Sequence, residues 1–189
     1  MQPPSTAQLA WYVTGRFYAD AKNGTLQDVG YFLHLQGIDG ELFCAAPGEA
    51  SAHFTFAAVP FLSRGITNAD ISLSLDPVGD FSVFFNPQPG MADFSDPKTF
   101  AAGEEIAVFR RTGMVVGATV GGISSNVFSA SLIAARPFTF KGKRHDLAQL
   151  LPHGITQWGA ASTEPVTPPP NGYQKVVAFV GSALAAGGR

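Results

Sequence analysis

The chain carries little charge and almost no sulfur chemistry. Its 189 residues include 12 Lys and Arg and 14 Asp and Glu, so charged side chains make up 14%, well under the usual quarter. The net charge is −2 and there is no basic stripe, which argues against nucleic acid, since clustered Lys and Arg hold a phosphate backbone. The densest cationic group is Lys141, Lys143 and Arg144 around Gly142, the composition of a solvated hairpin turn. Cys44 is the single cysteine, which excludes an intrachain disulfide and a cysteine metal cluster. No run approaches the roughly 18 or more apolar residues of a membrane span. Met1-Gln2-Pro3-Pro4 lacks the basic-then-apolar pattern of a leader peptide. These absences read as a cytoplasmic protein with no membrane association, a secreted chain with its leader trimmed being the alternative.

Catalytic signatures are missing as well. There is no Gly-x-Ser-x-Gly elbow, no His-Glu-x-x-His and no phosphate loop ending in Gly-Lys-Ser/Thr. His145 and His153 flank one short segment, but no third ligand stands at metal spacing. The expectation is no metal and no cofactor.

What the chain does have is phenylalanine, 16 residues of it. Each ring buries on the order of 150–250 Å², so the set requires a large core, a ligand cavity or a subunit interface. A chain of this length fits one domain and buries roughly 70% of its unfolded surface without staples.

Period-two alternation dominates the pattern. Over residues 11–20, Trp11, Val13, Phe17 and Ala19 share one face, and Tyr12, Thr14, Arg16 and Tyr18 share the other. Over 28–37 the apolar face is Val29, Tyr31, Leu33 and Leu35, with Asp28, His34 and Gln36 opposite. Asp39-Gly40 signals a hairpin, with 41–45 as its returning strand. Alternation resumes at 51–59, 71–75, 81–85, 105–111, 114–120 and 126–135, with a short strand at 138–141. Residues 86–98 hold three prolines and a glycine, a long loop of the kind that carries function or lies across an opening. Asp146 can cap one short helix, with Gln149 returning the bond. Residues 173–180 fit helix or strand, the β-branched content favouring strand.

About nine or ten strands, several longer than the usual five or six residues, suit an all-β fold: a single antiparallel β-barrel with one short helix. Its architecture alone is similar to lipocalin-like and allene-oxide-cyclase-like barrels, and a β-sandwich is the alternative. Residues 1–162 form the barrel domain; 163–189 form a Pro-rich tether and a C-terminal segment packing on it. Barrels of about eight strands either fill their interior or hold one small ligand.

Candidate site residues follow from the face assignment. Tyr31, Phe54, Phe56, Phe81 and Phe85 line the apolar interior as ligand-binding residues. Glu49 and His53 are a possible acid/base pair at a rim, although four residues along a strand span about 13 Å; a turn acid and an exposed histidine are the plainer reading. His34 becomes a base only if the faces of its strand exchange. Arg110-Arg111 sends one guanidinium to each face, so one of them enters the interior or an interface, where an unpaired charge is costly. The functional expectation is a small hydrophobic or aromatic molecule bound in a Phe-lined cavity, with isomerase or cyclase chemistry as its extension. The alternative is a structural or assembly protein with a filled barrel. Aromatic rings on both strand faces lead to the expectation of a homo-oligomer.

Overall fold

The computed structural model describes residues 8–69, 71–77 and 79–186. The leader-like question at Met1-Gln2-Pro3-Pro4, Val78 in the turn after Asp76 and the end of the C-terminal segment lie outside them. In chain order the strands are β1 (Leu9–Asp20), β2 (Leu26–Leu35), β3 (Phe54–Ala58), β4 (Arg64–Asn68), β5 (Ile71–Asp76), β6 (Asp80–Phe85), β7 (Glu104–Arg111), β8 (Val115–Val120) and β9 (Ile123–Ala135). There follow β10 (Phe138–Phe140), β11 (Lys143–His145), the helix α1 (Leu147–Leu150), β12 (Ile155–Ser162) and β13 (Tyr173–Ala185).

The main sheet runs β12-β13-β1-β2-β3-β6-β7-β9, and β12 pairs back onto β9. That closes an antiparallel barrel of eight strands and leaves no open edge around the circuit, which is what closure achieves. The sandwich alternative is excluded by that pairing. The long strand β9 does two jobs. Its second half pairs with β7 through Ala130–Ala135, and its first half pairs with both β12 and β8. Beyond β8 the sheet continues through β5 to β4. One wall therefore extends past the barrel at the end where β9 begins.

The opposite end is closed. The β10–β11 hairpin and α1 pack there, with Phe138, Phe140, Leu147, Leu150 and Leu151 all buried in the main core. Asp146 caps α1, its side chain accepting from the Ala148 amide at 2.9 Å. Gly15 and Gly30 face each other across β1 and β2. A Cβ on Gly15 would stand 2.8 Å from the Phe179 ring, and one on Gly30 2.7 Å from the Phe56 ring. Both glycines let the two strands curve beneath those rings.

Several expectations need correction. Residues 41–45 are no returning strand; only Phe43 bridges to Ala52. β4 and β12 gave no clear alternation, because Gly, Ala, Ser and Thr dominate β12 and every residue of β4 is exposed. The loop 86–103 does not cross an opening. It lies on the outside of the barrel, where Phe94 and Phe100 form a second cluster with Tyr18, Val29 and Val176. Residues 173–185, ambiguous by periodicity, are a strand between β12 and β1 and one of the staves of the barrel.

Candidate functional site

The faces of β2 are exchanged over its first part. Asp28 and Phe32 point into the barrel, whereas Val29 and Tyr31 point outward beneath the 86–103 loop. The reason is local. The pairing with β1 shifts between Tyr12–His34 and Val13–Phe32, leaving Leu33 as an extra residue. Such a bulge flips the sense of alternation, so Leu35 is again in the core and His34 stays outside. Tyr31 accordingly does not line the lumen; its ring meets Phe43 and Phe94.

The four phenylalanines placed inside are inside, but as packing. Phe54 stacks on Phe85 at 5.2 Å, and both meet Phe138 and Phe140 at the closed end. Phe81 stacks on Phe109, and edge-to-face contacts then run from Phe109 to Trp11, from Trp11 to Phe32 and from Phe32 to Phe56. Edge and offset contacts of this kind hold a solid core. The space remaining among Trp11, Phe32, Phe56 and Phe81 is about 10 Å³, room for about one water and far too little for a ligand.

Room for a ligand lies at the open end. A cavity of about 360 Å³ is lined by Phe17, Leu26 and Val177 on its apolar side and by Asp76, Ser124 and Asn126 on its polar side. Asp76, Phe17 and Asn126 also border a smaller space of about 20 Å³ directly beneath, which reaches Asp28, Arg111 and Gln157. The cavity thus has an aromatic and aliphatic wall, and below it a cluster of ionisable groups.

Arg111 ends β7 with its side chain inward and is 3% exposed. Its Nη2 donates to Asp28 Oδ1 at 3.3 Å, and its guanidinium stands 5.1 and 5.2 Å from the rings of Phe61 and Phe128. Cation–π contact of this kind is worth more when desolvated. Among the described residues, Arg111 Nε and Nη1 and Asp76 Oδ1 are buried without a hydrogen-bond partner. Unsatisfied buried polar atoms are rare and costly, and here they surround one cavity floor. Burial raises the Asp76 carboxyl above its ordinary range, with Ser63 and Arg111 opposing and Asp28 adding to the rise. Burial likewise raises Asp28, against the pull of Arg111. Gln157 accepts from Trp11 Nε1 at 3.0 Å, which fixes its amide beside the cluster. Arg110, next to Arg111 in the chain, points outward, bound bidentately to Asp80 at 2.8 Å.

The three candidate catalytic residues are not brought together. His34 sits beside Gln36 and Tyr12 on the outer wall. His53 Nδ1 is 2.9 Å from the Asn86 carbonyl, and its ring packs against Phe140. Glu49 lies in a separate open groove with Arg16 and Asp93. The cluster of Asp28, Asp76 and Arg111 was only partly legible. The split of Arg110 and Arg111 between faces is readable from alternation, but Asp28 reads outward in the sequence because the Leu33 bulge leaves no mark in composition.

No group of three His, Cys, Asp or Glu suited to a metal exists among the described residues, and no helix there is long and apolar enough to cross a membrane. No known protein family, curated protein or solved structure matches this chain.

Proposed function

We propose that the protein binds a small aromatic or otherwise apolar molecule, bearing at least one polar group, in the cavity at the open end of its barrel. The observation that carries this reading is the convergence of unpartnered buried atoms, Asp76 Oδ1 and Arg111 Nε and Nη1, beneath a cavity of about 360 Å³. Pockets of roughly this size hold small ligands between an apolar lining and a few oriented polar groups. Phe17, Leu26 and Val177 supply the lining; Asp76, Asn126 and Arg111 supply the orientation. The ligand site is therefore placed at the mouth rather than among Phe54, Phe56, Phe81 and Phe85.

A second reading, isomerase or cyclase chemistry in the same cavity, is supported by one further observation. Asp76, raised by burial, stands beside a guanidinium held between two rings. A buried carboxyl of raised pKa is the kind of group that passes a proton in a pocket, and a fixed cation is suited to stabilise an oxyanion. The proposal also places the protein in the cytoplasm, supported by an exposed free thiol at Cys44 of the kind that persists in a reducing compartment. Self-association belongs to it too, supported by outward apolar side chains such as Trp158, 52% exposed.

Titration with 8-anilinonaphthalene-1-sulfonate, an aromatic anion, tests the site. Saturable binding should fall at least tenfold in Ser124→Trp, which fills the cavity, and should persist in Leu62→Glu, which removes an exposed apolar residue elsewhere. Equal binding by wild type and Ser124→Trp would place the probe on the outer surface and end this reading.

A further inference from the structure

Over β8, β9 and β12, together with Tyr12–Thr14 of β1 and Val180–Leu184 of β13, the outer wall carries no charged side chain. One row across these strands, fixed by the pairing register, is Val116, Val127, Trp158, Ser182 and Tyr12. The next row towards the open end is Ala118, Ser125, Ala160, Val180 and Thr14. On the other side stand Ser129, Thr156 and Leu184. Charged residues begin only at the borders. Arg64 on β4 follows Leu75 beyond Val116, Arg110 pairs with Asp80 beside Ser131, and Arg16 lies over the Phe94 ring at 4.3 Å.

The exposed apolar members of this face are large. Tyr12, Val116, Val127, Trp158, Val180 and Leu184 are each 44–53% exposed. Where the 86–103 loop covers the wall, the equivalent residues Val29 and Val176 are fully buried. The same barrel thus has one outer sector covered by its own chain and one sector left uncovered.

We propose that this uncovered sector packs against the same sector of a second copy of the chain. The inference rests on the self-association part of the functional proposal and is independent of the cavity ligand. The composition selects the occupant. In a twofold interface each patch meets itself, so a charge near its centre would face its own like. Apolar side chains and hydroxyls are self-complementary, because a hydroxyl both donates and accepts. Ser125 and Ser182 are interspersed with the apolar residues, and Ser129 and Thr156 hydrogen-bond each other at 2.8 Å, a polar content ill suited to lipid hydrocarbon, where burying a hydroxyl is penalised. The five strands from β8 to β1, spaced about 4.8 Å and each about seven residues long, cover roughly 570 Å² measured along the wall. That is within about a third of the roughly 800 Å² per partner of a standard interface. The wall is convex, so its middle strands meet first, and Trp158 stands on one of them. Tryptophan at the centre of a patch is the residue type that most often dominates association.

Sedimentation velocity over a range of protein concentrations tests this. Wild type is expected to sediment as a dimer. Trp158→Glu and Val127→Glu should sediment as monomers with unchanged β circular dichroism, while Leu62→Glu, on an exposed residue off this face, should remain dimeric. If the glutamate variants do not fold, the strand-compatible Trp158→Thr should still weaken the dimer at least tenfold. A monomeric wild type at high concentration overturns the proposal, as does an oligomer that survives both Trp158→Thr and Val127→Glu. So does a wild type that is monomeric in solution and floats with neutral phosphatidylcholine vesicles. Probe binding in the cavity should be the same in Trp158→Glu and wild type, so failure of the ligand reading and failure of this one are told apart.

Discussion

Arg111 reaches across the inside of the barrel from β7 to Asp28 on β2, its Nη2 3.3 Å from Oδ1, although the two are 83 positions apart in sequence. The pair joins strands that are not neighbours in the sheet. It holds a charge in a place where the surrounding surface is phenyl rings.

Removing one partner should cost far more than removing both. Arg111→Met leaves Asp28 buried and uncompensated, a loss of about 3–5 kcal/mol. The double variant Arg111→Met, Asp28→Asn should recover much of it. Urea denaturation of wild type, both single variants and the double variant gives the coupling energy. A double variant as unstable as Arg111→Met alone would mean that the pair is not what holds this region.

Asp76 gives a pH dependence of definite sign. Its pKa is raised on folding from an ordinary value of 3.8, so the folded state binds the proton more tightly. The contribution is present in full below the unfolded value and is lost as pH rises through the folded one. Asp76→Asn should therefore gain on wild type, in melting temperature, as pH is raised from about 4 to 7. A difference that is constant with pH would show that the carboxyl does not titrate differently in the two states.

His145 should act in the opposite sense. It is 3% exposed and lies against Phe138. Burial lowers its pKa below 6.5. The stability it contributes is present above that unfolded value and is lost as pH falls through the folded one. His145→Phe, which keeps the ring contact, should be relatively more stable than wild type at pH 5 than at pH 7. Thermal melts at the two pH values are sufficient.

Gly15→Ala and Gly30→Ala test the curvature beneath Phe179 and Phe56. Each added methyl meets neighbouring backbone as well as a ring, and overpacking of this kind costs about 1–3 kcal/mol. Gly65→Ala, where a Cβ meets nothing within 4 Å, is the control, expected to be neutral in chemical denaturation.

Alternation along the chain is enough to read an all-β barrel. Alternation of Trp11, Val13 and Phe17, of Phe54, Phe56 and Ala58, and of Phe81, Val83 and Phe85 assigns those faces to the core, because a strand turns successive side chains to opposite sides. It also established that one of Arg110 and Arg111 must leave the solvent-facing side. Tertiary structure decided the rest. The bulge at Leu33 exchanged the faces of β2, turning Asp28 inward and Tyr31 outward, and a one-residue slip of this kind is invisible to composition. The stretch 86–98 reads as a loop from its prolines and glycine, but only packing could send Phe94 and Phe100 to the outer wall. Whether the phenylalanines enclose a cavity or fill the barrel depends on ring-against-ring geometry across strands far apart in the chain. That geometry filled the closed end and left the space at the mouth, where β9 carries the sheet beyond the barrel and Asp76 meets Arg111.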